Sequence, residues 1–193
     1  RMAGVAALDA LIDVPSADEE KKAIKFANNL SSSLRAPYGD YELISAVSRS
    51  LGHMAMRTTN VDFVESEITR ALEWLRSDRS QRRLAASLTL KELAINAPTA
   101  FFAKTTQTNV GHGGSNEFID HVAPVLADPQ PIVRACAADT LSQCLKILVN
   151  RQHASLTALM CQIHFSLMDK LRPEMSKKKS PAAIAEAEQA IHG

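Results

Sequence analysis

The feature that most narrows what this chain can fold into is an internal repeat. One copy reads Pro124-Val-Leu-Ala-Asp128-Pro-Gln-Pro-Ile-Val-Arg134-Ala-Cys-Ala-Ala138-Asp-Thr-Leu141. A helix ends there, Asp and Pro form a turn, and a helix rich in small residues follows. Setting Arg134 in register with Arg83 aligns Arg83-Leu-Ala-Ala86-Ser-Leu-Thr-Leu90 with it and places Asp78 in the turn ahead. Fainter copies align Ile44-Ser-Ala-Val47-Ser-Arg-Ser-Leu51 and Arg1-Met-Ala-Gly4-Val-Ala-Ala-Leu8, a spacing of about forty residues, as helix-pair repeats have. Such a unit cannot bury its apolar face alone and must stack on its neighbours.

Composition agrees with helices. Apolar residues make up 46% against only seven glycines, and aromatic residues only 5%, so the apolar content is carried by Ala and Leu, which favour helix. Start and stop signals divide the chain into Met2 to Ile12, Ala17 to Leu34, Tyr41 to Met56, Val61 to Leu75, Gln81 to Asn96, Glu117 to Ala127, Pro131 to Asn150 and Ala154 to Leu171. Pro98 and Pro173 each follow a helix end, and Pro131 suits a first helical turn, where its missing amide hydrogen needs no partner. Residues 104–116 hold Gly111-His-Gly-Gly114 amid Thr, Asn and Ser and are expected to form a loop insertion. The repeats then occupy residues 1–172, and residues 173–193 form a charged linker with a weak terminal helix.

The turn Asp, the Arg after it and the small residues resemble a HEAT repeat. The resemblance implies an all-α solenoid of antiparallel helix pairs stacked in a right-handed superhelix. It also implies that the turn Asp accepts hydrogen bonds at the start of the second helix and that the Arg joins a polar ladder between repeats. Asp78, Arg83, Asp128 and Arg134 are the structural positions so assigned.

A more specific resemblance runs through Ala71-Leu-Glu-Trp-Leu75, Asp78-Arg79, Arg82-Arg83 and Glu92-Leu-Ala-Ile-Asn-Ala-Pro98, echoed upstream by Ala6-Ala-Leu-Asp-Ala-Leu-Ile-Asp13. These segments resemble the N-terminal HEAT solenoid of the target of rapamycin (TOR) kinases, which are phosphatidylinositol-kinase-related serine/threonine kinases. The family pattern has one more residue between Asp-Arg and the paired Arg, a His where Leu84 stands, and no polar insert as long as residues 104–116. After about Asn150 the likeness fades to generic helical repeats. The resemblance implies a piece of a much larger chain whose kinase domain lies far downstream, and the opening Arg1, already inside an amphipathic pattern, fits that expectation. It implies no catalytic or cofactor residue here, docking of raptor-like or other TOR-complex subunits, contact with a second TOR protomer, and a cytoplasmic location with peripheral recruitment to vacuolar or lysosomal membranes. A free-standing HEAT adaptor of transport or phosphatase complexes shares the architecture and stands as the alternative.

Charge and motif searches exclude other classes. The 22 basic and 21 acidic residues nearly cancel, so no net field draws the chain onto nucleic acid or anionic lipid. The apolar runs are too short and too charged to cross a bilayer. Three cysteines, Cys136, Cys144 and Cys161, are too few and too scattered for a disulfide framework and fit a reducing compartment. Cys161 and His164 share a helix face but lack the second ligand pair that structural zinc requires. His112 among glycines lacks the Lys-Ser/Thr of a phosphate-binding loop. Trp74, on a helix face with Ala71, Leu75 and Phe63 or Val64, is expected in the core. Lys177 to Lys179 before Ser180-Pro181 read as a solvated linker or as a phosphorylation site beside a basic patch. Arg79 and Arg82 are the candidate partner-binding residues, because solenoid turns line one exposed edge.

Overall fold

The computed structural model describes residues 1–35, 40–58, 60–105, 117–151, 160–165 and 168. Among these the regular structure is helical: α1 Met2–Ile12, α2 Glu19–Arg35, α3 Tyr41–Arg57, α4 Val61–Leu75, α5 Ser80–Asn96, α6 Pro98–Thr105, α7 Glu117–Val122, a 3₁₀ turn at Ala123–Ala127, and α8 Pro131–Arg151. Residues 160–165 are helical as well.

Local chemistry sets the starts. Asp40 caps α3 by accepting from the Leu43 amide at 2.8 Å, and Asn60 caps α4 by accepting from the Phe63 amide at 3.2 Å. Asp18 accepts from the Lys21 amide at 2.9 Å ahead of α2. Two elements depart from the sequence reading. Glu117 to Ala127 is not one helix: it tightens into the 3₁₀ turn where Pro124, lacking an amide hydrogen, breaks the α ladder. Pro98 does not simply end a helix; it opens α6, whose eight residues take in Lys104 and Thr105 from the expected loop. Phe101 on α6 is fully buried and meets Phe118 of α7 edge to face at 5.6 Å, and this burial holds so short a helix in place. Residues 106–116 of the expected loop, and the expected linker and helix of 173–193, lie outside the described residues.

The helices form two layers. α1, α3, α5 and α8 lie side by side in that order, while α2 packs on α3, α4 on α5, the 3₁₀ turn on α8, and α7 on α4. α6 fills the space among α4, α5 and α8. This is an all-α helical-repeat solenoid. One continuous apolar core runs through it, with Leu30, Val47, Leu51, Ile68, Ala85, Leu90, Leu93 and Phe101 wholly removed from solvent. Each large side chain so buried contributes about 1.5–3 kcal/mol before entropy is counted. α5 is covered on nearly every side, which explains its run of Ala, Ser and Thr: α3, α4 and α8 all approach it, and small side chains let three helices come close. None of the described helices is long and apolar enough to cross a membrane.

Candidate functional site

The polar groups between repeats follow the sequence register. Arg134 donates from Nη1 to the Asp128 carbonyl, six residues back, at 2.7 Å; Arg83 donates from Nη1 to the Ser77 carbonyl, also six residues back, at 2.7 Å. Asp128 Oδ1 accepts from the Gln130 amide at 2.8 Å, and Ser77 Oγ accepts from the Arg79 amide at 3.3 Å. In both turns a short polar side chain accepts the amide two residues on, the geometry that Asx and Ser turns favour. The structural equivalent of Asp128 is therefore Ser77; Asp78 stands next to it, exposed.

Arg83 also reaches across to the next repeat, where its Nε donates to Asp128 Oδ2. Asp128 is buried, and burial alone would raise its carboxyl. The Arg83 bond, the Gln130 amide and the charge of Arg134 outweigh that and hold it below the ordinary aspartate value. Further along the same layer Thr140 Oγ1 donates to the Ser87 carbonyl at 2.7 Å, and Ser48 Oγ meets Thr89 Oγ1 at 3.2 Å. Ser48 aligns with Ser87 and Thr89 with Thr140, so the same repeat positions meet at both junctions. Lys91 and Asp139 close the outer side at 2.9 Å.

The arginine-rich edge at the α4–α5 turn is organised around Trp74. This indole is half-buried at the margin of the core rather than inside it, because two guanidinium groups occupy its flanks: Arg70 at 5.2 Å and Arg82 at 5.8 Å from the ring centroid. Arg82 is thus held half-buried against the ring, while Arg79 stands exposed at the start of α5. Beneath them Arg70 pairs with the buried Glu67 and donates to Ser31 Oγ of α2. Desolvation pushes the Glu67 carboxyl up to about 7 even though Arg70 and Arg35 pull it down. The sequence holds Glu67 and Arg70 at helical spacing, an ordinary surface pairing. Their burial comes from α2 lying alongside, which no local pattern announces.

The other singled-out residues are separate from this edge. Cys161 and His164 are exposed, with the His164 ring edge-on to Phe165 at 5.9 Å. No set of three His, Cys, Asp or Glu residues among those described is arranged to hold a metal ion. His112, Pro173, Lys177 to Lys179 and Ser180 lie outside the described residues.

No protein-family model matches the chain. Among curated proteins it is 33% identical over 155 residues to the serine/threonine-protein kinase tor1 of Schizosaccharomyces pombe, a match covering 79% of this chain. It is 37% identical over 149 residues, 76% of the chain, to the serine/threonine-protein kinase TOR of Oryza sativa subsp. japonica. The counterpart of Arabidopsis thaliana is 33% identical over 154 residues, 78% of the chain. In each case the match spans only 6% of the relative's own length.

Proposed function

Because this chain is a relative of one segment of the TOR serine/threonine kinases, we propose that it is a non-catalytic docking scaffold within such a kinase. The parent chain phosphorylates protein substrates through a catalytic domain outside these residues. The stacked repeats hold a regulatory subunit of the raptor-like kind, support pairing with a second kinase protomer, and act in the cytoplasm or at a vacuolar or lysosomal surface in nutrient and growth signalling.

The observation that carries this reading is the edge formed by Arg79, Arg82 and Trp74. An exposed guanidinium beside one pre-oriented on a half-buried indole is the kind of Arg and Trp combination that dominates binding energy at protein interfaces. Because Trp74 holds Arg82 in place, less side-chain freedom is lost when a partner's carboxylate arrives.

The test is co-elution of the purified chain with a raptor-like subunit on size exclusion, beside the Arg79→Glu single variant and the Arg79→Glu, Arg82→Glu double variant. Binding by the unaltered chain that falls with the first charge reversal and disappears with the second supports the docking edge. Retention of full binding by the double variant places the contact elsewhere and overturns it.

A further inference from the structure

The opposite edge of the solenoid, formed by the α1–α2 and α3–α4 turns, carries a groove of about 820 Å³ that is open to solvent. Ile12, Ala23, Phe26 and Met54 line it with apolar surface, and Val14 and Val61 stand half-exposed among its lining residues. Its volume falls in the range of ligand pockets.

The charges around it are unequal in what they have left to bind. Lys22 is turned inward: its Nζ donates to the Ile12 carbonyl at 2.9 Å, to the Val14 carbonyl, and to Glu19 at 3.2 Å. Arg57 pairs with Asp13 at 2.6 Å. Both cations lining the groove are thus neutralised within the fold. Glu20 and Asp62, exposed in the first turns of α2 and α4, form no ion pair among the described residues. The groove is therefore a trough of mixed polar and apolar surface with surplus negative charge at two separate helix starts.

We propose that this groove docks a short segment of a partner protein in which basic side chains are interspersed with apolar ones. The apolar groups settle on Val14, Phe26 and Val61, and the cations reach Glu20 and Asp62. An acidic or phosphorylated segment is repelled. This surface differs in place and in sign from the Arg79 and Arg82 edge, so its fate is independent of the scaffold reading.

The test uses the whole chain and a fluorescein-labelled peptide of alternating leucine and arginine, with a leucine and glutamate peptide as the opposite probe, read by fluorescence anisotropy. Saturable binding of the first and none of the second is expected. Glu20→Lys with Asp62→Lys should weaken it about tenfold or more, while Glu42→Lys with Glu73→Lys, the same change in net charge elsewhere, should alter it less than about twofold. Circular dichroism melting of all three proteins separates lost binding from lost folding. No saturation by the basic peptide up to about millimolar, or equal weakening by the two double variants, overturns the proposal.

Discussion

Arg83 of α5 donates its Nε hydrogen to Oδ2 of Asp128, a carboxylate in the turn that opens the next repeat, so one side chain joins its own turn at Ser77 to its neighbour's. The pair is nearly dry, with the Asp128 side chain 2% exposed and that of Arg83 16%. Removing either partner leaves the other's buried charge without its cross-repeat counter-charge.

Arg83→Ala and Asp128→Ala should each destabilise the chain by about 3 kcal/mol, the scale for breaking a buried pair. The double variant should lose much less than the sum. Urea titration of all four proteins measures the coupling, and additive losses would show that the two side chains act independently.

Stability should fall as pH rises from about 4.5 to 7. The Glu67 carboxyl, raised from 4.5 to about 7 chiefly by desolvation, keeps its proton in the folded chain where the unfolded chain has already released it. The folded state then binds more protons in that window, so its contribution, full below about 4.5, is lost as pH climbs through 7, by about 3 kcal/mol. Glu67→Gln, which cannot titrate, should flatten that slope in denaturant midpoints taken at several pH values.

Gly52 of α3 packs against the C-terminal half of α5. A Cβ added there would lie 2.7 Å from Asn96 Nδ2, 2.9 Å from Glu92 Cβ and 3.2 Å from the Glu92 carbonyl oxygen. Asn96 can swing aside, but the Glu92 backbone cannot. Gly52→Ala gains up to about 1 kcal/mol of helix propensity and loses about 1–3 kcal/mol to overpacking. A net fall in the melting temperature is expected; a rise would mean that α3 and α5 part without cost.

Thiol labelling should distinguish the cysteines. Cys161 is exposed, whereas burial pushes the Cys144 thiol up to about 12 and raises that of Cys136. Ellman's reagent should therefore modify Cys161 first, and Cys136 and Cys144 only at the rate of global unfolding. Fast reaction of all three in native buffer would contradict the packing of α8.

Much of this was readable in advance because it is local. The bounds of α1 and α4 match the sequence reading, and those of α3, α5 and α8 shift only by a residue at one end, since caps and apolar period act within a few residues of the chain. The alignment of Arg83 with Arg134 was readable too, and the two matching Ser–Thr junctions share that register. α6 was hidden because Pro98 serves equally as a stop or as a first helical residue, and only the burial of Phe101, against Phe118 of α7, decides which.

The sequence by itself determined the helical class, the repeat and its register, because hydrophobic period, turn chemistry and helix capping need no distant partner. The tertiary structure alone decided that Glu67 is buried, that Trp74 stops at the margin between two arginines, and that Lys22 faces inward while Glu20 and Asp62 do not. Each of these depends on how closely and at what angle one helix lies on another, a property of the stacked pair that neither segment carries alone.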